Sequence, residues 1–153
     1  MKSPTELSEA FRSQGRKLTP QRQAIFDALD GNPSHPSAES VYDMVRVHMP
    51  SISLRTVYQT LNDLTEMGEI SQVDLGLGSA RFDPNNEPHH HLVCSGCATV
   101  FDVAVEVDSP LPDLEVPAGL GDGFVVDSTD IIFRGMCAQC AAGQQPTDLG
   151  PVP

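Results

Sequence analysis

The chain has 153 residues, with 9 Lys+Arg against 21 Asp+Glu and a formal net charge of −12, a length suited to one or two small domains. It has no apolar run of transmembrane length, and its start, Met1-Lys2-Ser3-Pro4-Thr5-Glu6, has no signal-peptide core, so a cytoplasmic protein with no membrane partner is expected. In bulk, such acidity argues against a polyanionic partner such as DNA. The charge is unevenly spread, however. Residues 1–83 carry 8 basic and 11 acidic side chains, whereas residues 84–153 carry Arg134 alone against 10 acids. The first 22 residues hold Lys2, Arg12, Arg16, Lys17 and Arg22 against only Glu6 and Glu9. A split of this kind points to two parts with different roles.

In chain order, the first half reads as helices with clear punctuation. Ser3-Pro4-Thr5-Glu6 is a capping box, followed by apolar Leu7 and Phe11 and a stop at Gly15. Thr19-Pro20 opens a second helix with Ala24, Ile25, Ala28 and Leu29 on one stripe, broken at Gly31-Asn32-Pro33. A third starts near Pro36-Ser37, carries Val41, Met44 and Val45, and runs to Pro50. Ser53 caps a fourth, with Leu54, Val57, Leu61 and Leu64 inward and Gly68 as its stop. Beyond Gly68 the period changes. Ile70–Leu75 and Ala80–Phe82 flank a glycine-rich turn and predict a β-hairpin. Helices followed by a hairpin make a winged helix-turn-helix, with Ser53–Met67 as recognition helix. Its polar face offers Arg55, Thr56, Tyr58, Gln59 and Asn62 to base edges and phosphates, and Arg16, Lys17 and Arg22 add nearby positive charge. A solvated helix face would look much the same in isolation.

Residues 84–88 are a polar, proline-bounded hinge linker. Strands are predicted at His91–Val93, Thr99–Val105, Phe124–Val126 and Ile131–Phe133. The proline- and glycine-rich stretch Asp108–Gly123 leaves room only for a short helix, and residues 142–153 read as a disordered tail. The expected organisation is α+β. A DNA-binding winged helix spans 1–83, and a small α/β metal-binding domain with a Cys₄ zinc site spans 89–141.

Two groups of residues carry chemistry. All four cysteines fall in two Cys-x-x-Cys pairs, Cys94/Cys97 and Cys137/Cys140, spaced to close a tetrahedral structural zinc site. Disulfides are the poorer reading in a reducing compartment, and redox dithiols normally open a helix, which neither pair is expected to do. The second group is richer in nitrogen and oxygen. His89 and His91 share one face of an extended segment while His90 faces the other way. His35, Asp83 and Asp102 complete a five-member set, and mixed imidazole and carboxylate without thiolate suits Fe²⁺ or Mn²⁺. His90 and His48 are expected in solvent.

These motifs together resemble the ferric uptake regulator superfamily: Leu18-Thr19-Pro20-Gln21-Arg22, His35-Pro36-Ser37-Ala38-Glu39, Ile52-Ser53-Leu54-Arg55-Thr56-Val57-Tyr58 and His89-His90-His91-Leu92-Val93-Cys94-Ser95-Gly96-Cys97. The resemblance covers roughly residues 5–141. It implies a homodimeric, metal-dependent repressor, not an enzyme, with residues 89–141 as the dimerisation domain, acting on a double-stranded, AT-rich palindromic operator. In the peroxide-sensing PerR branch the regulatory metal is held by His, Asp, His, His and Asp, matching His35, Asp83, His89, His91 and Asp102 in order. Iron-sensing members typically have Glu where Asp83 and Asp102 stand. The resemblance further implies that peroxide, reacting at Fe²⁺, oxidises His35 or His89. A further metal site of some members needs a histidine near Thr129, which Ser128-Thr129-Asp130 does not supply. The alternatives are an iron-responsive repressor with Fe²⁺ as co-repressor and, more remotely, a small zinc enzyme or metal carrier. The enzyme lacks a Glu in a His-x-Glu or His-Glu-x-x-His setting.

Overall fold

The computed structural model of the protein describes residues 1–104 and 130–143. The predicted strand Phe124–Val126, the Asp108–Gly123 stretch, the Ser128-Thr129 pair and residues 144–153 lie outside the described residues. Four helices come first: α1 Pro4–Ser13, α2 Pro20–Leu29, α3 Ala38–Arg46 and α4 Leu54–Glu66. Each begins where a side-chain oxygen replaces a missing helical acceptor. Ser3, Thr19, Ser37 and Ser53 accept from the backbone N–H of Glu6, Arg22, Ser40 and Thr56. At α1 the box is reciprocal, since Glu6 Oε2 accepts from Ser3 N–H at 2.9 Å.

The helices bury one continuous core made by Leu7, Phe11, Ile25, Phe26, Leu29, Val41, Val45, Val57, Leu61 and Leu64. Two residues expected in that core are not there. Met44 and Leu54 stand exposed: α3 buries Ala38, Val41 and Val45 and leaves Met44 beside Asn32, and Leu54 occupies the first turn of α4, outside the packed stripe. Asp63 of α4 binds Arg16 and Arg22 together, and Arg16 also reaches Glu66 at 2.9 Å. Two of the expected DNA-contacting cations thus fasten α4 to the α1–α2 loop and to α2.

The hairpin β1 Ser71–Val73 and β2 Arg81–Asp83 pairs antiparallel with Gln72 opposite Phe82. The second sheet has the order β4-β3-β5, with β3 His89–Cys94 central, β4 Val100–Ala104 antiparallel to it and β5 Ile132–Gly135 parallel. A one-turn helix α5, Ala138–Ala141, follows.

The hairpin contributes to both parts of the molecule. Phe82 enters the helical core, whereas Leu75 forms a second apolar cluster with Val93 and Val100, flanked by Val73, Leu77 and Ile132. Arg134 of β5 donates from Nη1 to the Leu75 carbonyl at 2.9 Å. The one basic residue of residues 84–153 is therefore spent on the wing turn. Replacing Leu75, 1 % exposed, by Ala is expected to cost about 2–4 kcal/mol, measured by urea unfolding. A loss below about 0.5 kcal/mol would show that the wing is not held against the sheet.

Candidate metal centres

Two clusters of ligand-type atoms lie at the two ends of β3. At its C-terminal end, Cys94, Cys97, Cys137 and Cys140 bring their sulfurs within 4.8 Å of one another. Gly96 permits this approach: a Cβ there would lie 2.9 Å from both Cβ and Sγ of Cys140. Backbone N–H groups already address the thiols. Cys137 N–H donates to Cys94 Sγ at 3.2 Å, and Cys140 N–H to Cys137 Sγ at 3.5 Å. Such donation from Cys137 and Cys97 pulls the Cys94 thiol down to about 6, whereas desolvation and its thiol neighbours push Cys140 up to about 12. Contrary to the sequence expectation, the second pair does open a helix, since Cys137 is the N-cap of α5. The four sulfurs nevertheless converge on one point, which two independent dithiols would not require. The set fits a tetrahedral thiolate metal. Gly96→Ala is expected to lower bound zinc well below one ion per chain by elemental analysis, and full occupancy would contradict the role given to Gly96.

At the other end, His35, Asp83, His89 and His91 bring one donor atom each within 4.8 Å of one another. They come from three places: the loop before α3, the end of β2, and β3. The alternation of β3 puts His89 and His91 on one face, with their Nε2 atoms 3.1 Å apart. Asp83 Oδ2 is 2.9 Å from His89 Nε2 and 3.5 Å from His91 Nε2, while Oδ1 is 3.5 Å from His35 Nε2. His35 and Asp83 are only 1 % and 2 % exposed.

The outer atoms fix which nitrogens face inward. His35 Nδ1 lies 3.1 Å from the Pro33 carbonyl and His89 Nδ1 2.7 Å from that of Glu87. A carbonyl can only accept, so each Nδ1 carries the proton and each neutral ring turns an Nε2 lone pair inward. Those lone pairs meet the Asp83 carboxylate with no donor of their own, and His35 Nε2 is buried without an aligned hydrogen bond. Such a set needs a cation or extra protons. It fits a divalent ion with nitrogen and oxygen preference.

The loop pays for this placement in backbone strain, with His35 at φ +47°, unusual for a non-glycine residue. Phe82 N–H donates to the Pro36 carbonyl at 3.0 Å, and Arg81 Nη1 to that of His35 at 3.4 Å, so β2 holds the loop. Burial opposes charge on His35, but the bond that a protonated Nε2 would make to Asp83, with attraction to Asp83 and Asp102, outweighs it and raises the pKa. Burial likewise favours the neutral Asp83 acid, but the His35 hydrogen bond and the Asn85 N–H win and lower it. At His91, burial and then repulsion by His35 and His89 lower the pKa.

Asp102, the fifth candidate, stands outside the group of four. Its Oδ1 is 3.0 Å from His35 Nε2 and 3.8 Å from His89 Nε2, but the side chain is 32 % exposed. His90 is half-buried, not solvent-facing, with its ring centroid 6.3 Å from that of Phe133; His48 is exposed. On α4, Arg55, Tyr58, Gln59 and Asn62 are exposed and Thr56 half-buried, its hydroxyl 2.9 Å from that of Ser53. Tyr58 donates to Glu39 Oε1 at 2.6 Å, and Lys17 is exposed. The backbone carbonyls of Pro33 and Glu87 left no sequence signal, because any residue type can supply them.

A winged-helix half joined to a metal-ligating sheet defines a class of metal-responsive DNA-binding regulators. The profile of the ferric uptake regulator family matches residues 13–111. The chain is 34% identical over 139 residues to the ferric uptake regulation protein of Bacillus subtilis, covering 88% of this chain and 91% of that protein. It is 32% identical over 138 residues to the peroxide-responsive repressor PerR of Staphylococcus epidermidis, covering 88% and 90%. The structure of the Helicobacter pylori ferric uptake regulator superposes with a TM-score of 0.67 at 20% identity, covering 90% of each chain, and so shares the fold. The chain belongs to the ferric uptake regulator family and is a metal-dependent repressor of it.

Because His35 binds a proton more readily than usual, a metal ion there must displace that proton. The expected sign is weaker binding at lower pH. Below the raised His35 pKa, Mn²⁺ affinity should fall by about tenfold per pH unit for one displaced proton. Titration by electron paramagnetic resonance at several pH values checks this, and a pH-independent affinity would contradict it.

Proposed function

We propose that this repressor senses hydrogen peroxide, with Zn²⁺ held by Cys94, Cys97, Cys137 and Cys140 and Fe²⁺ or Mn²⁺ held by His35, Asp83, His89, His91 and Asp102. The reading rests above all on the inward-facing Nε2 atoms around Asp83, a thiolate-free set with aspartate at both carboxylate positions. PerR proteins of staphylococci are among the chain's relatives. Residues 1–83 act as the DNA-binding part, 84–88 as the hinge and 89–141 as the dimerisation part of a cytoplasmic homodimer. Among the described residues, no helix is long and apolar enough to cross a membrane.

The switch follows from where the ligands stand. His35 belongs to the helical part, Asp83 ends the wing, and His89 and His91 belong to the sheet. Holding all of them fixes the orientation of α4 relative to the sheet, and so the spacing of two recognition helices in a dimer. Moving such an equilibrium from about 1:99 to 99:1 takes roughly 5.5 kcal/mol of preference for one state, within reach of a site that loses a coordinating histidine. Bound Fe²⁺ supplies one-electron chemistry toward peroxide that Mn²⁺ does not. His35, His89 and His91 all turn Nε2 toward the centre, and in this reading His35 or His89 is the ring that is oxidised. For operator contact the exposed cations and amides are Lys17, Arg55, Gln59 and Asn62, with Tyr58 beside them. Arg16, Arg22 and Thr56 also line this side and contribute through their neighbours.

The second reading is an iron-responsive repressor, favoured by the identity to the Bacillus subtilis ferric uptake regulation protein. Peptide mass mapping after low peroxide separates the two. The iron-loaded form is expected to gain one oxygen on His35 or His89 and to lose metal-dependent retention of an AT-rich palindromic duplex, while the manganese form does neither. Unmodified histidines in the iron form would leave the iron-responsive reading standing.

A further inference from the structure

Asn85 lies between the two carboxylates of the nitrogen and oxygen centre and touches both. Its side-chain Nδ2 donates to Asp102 Oδ2 at 2.9 Å, and its backbone N–H donates to Asp83 Oδ1 at 2.8 Å. Its side-chain Oδ1 accepts from Glu87 N–H at 3.0 Å, and the Glu87 carbonyl in turn accepts from His89 Nδ1 at 2.7 Å. One hinge residue therefore bears on three of the five candidate ligands. The amide orientation is fixed by its surroundings. A carboxylate oxygen can only accept and an N–H can only donate, so Nδ2 must face Asp102 and Oδ1 must face Glu87.

The consequence falls chiefly on Asp102, whose side chain is 32 % exposed and has no buried surroundings to fix its rotamer. Asn85 occupies Oδ2, and Oδ1 is left 3.0 Å from His35 Nε2. We propose that Asn85 is a positioning residue that turns Asp102 into a one-oxygen ligand, reserving Oδ2 and aiming Oδ1 at the centre. This rests on the metal-centre reading above. It explains how an exposed strand residue can serve a site whose other members are buried. It also places the residue in residues 84–88, so that a movement there would reach Asp102 together with Asp83 and His89.

The test is a double-mutant cycle on the full chain, read by Mn²⁺ affinity from electron paramagnetic resonance, with zinc content and melting temperature followed alongside. Asn85→Ala is expected to weaken Mn²⁺ binding by about tenfold or more, the usual scale for outer partners of metal ligands. Asn85→Asp keeps the acceptor for Glu87 N–H and loses the donor to Asp102, so it separates turn-making from positioning. It is expected to weaken Mn²⁺ binding at least as much as Asn85→Ala, with zinc content unchanged. In an Asp102→Asn background, Asn85→Ala should weaken binding no further. Wild-type affinity in Asn85→Asp, or losses that simply multiply in the double variant, would overturn the proposal while leaving the centre itself intact. If Asp83→Asn and Asp102→Asn also bind Mn²⁺ as the wild type does, the centre itself fails and the proposal with it.

Discussion

Three imidazoles and an aspartate pressed together at distances of 2.9 to 3.5 Å form a constraint that the chain cannot satisfy with its own atoms. His35 and His89 give their Nδ1 protons to backbone carbonyls outside the cluster, so their Nε2 lone pairs face one another and a carboxylate. His91 can turn an Nε2 proton toward His89, but His35 Nε2 has no hydrogen-bond partner, and an added proton or a metal ion relieves it. Each stretch of chain that supplies a ligand also belongs to a larger element. The loop at residues 33–36 leads into α3, Asp83 ends the wing, and His89 and His91 begin the central strand. The state of one small polar cluster is thereby tied to the relative placement of the helices, the hairpin and the sheet.

The thiolate cluster at the far end of β3 has a different part. It closes the small sheet, whose apolar support in the described residues is Leu75, Val93 and Val100 with a few partly buried neighbours. A core of that size is marginal, and a thiolate-bound metal adds folding free energy directly. Gly96 and the backbone donors around Cys94 show that this end is shaped closely. The nitrogen and oxygen end instead keeps a strained loop and an exposed carboxylate.

Much of this was legible in the residues. Helix starts follow from Ser3, Thr19, Ser37 and Ser53, because a capping oxygen is a local requirement and the chain declares it locally. The two Cys-x-x-Cys pairs and the alternating His89 and His91 declare their chemistry by spacing alone. What the chain could not declare were partnerships across it. Arg16 and Arg22 read as DNA contacts until Asp63 is seen between them, and nothing in the sequence pairs Arg134 with the Leu75 carbonyl. His90 read as solvent-facing, although β5 carries Phe133 beside it. The helix at Cys137 was missed because one turn has no period to detect. Net charge misled most, since it says nothing of where the acids stand.

The central claim is that the metal at His35, Asp83, His89 and His91 joins the helical part to the sheet. Hydrogen-exchange mass spectrometry of the zinc-containing protein with and without Mn²⁺ tests it most directly, because it reads both sides at once. In the wild type, Mn²⁺ should slow exchange in residues 30–37 and in β3 together. In His35→Ala it should protect only the β3 side. Equal exchange of residues 30–37 in the wild type with and without Mn²⁺, at saturating metal, would contradict the claim.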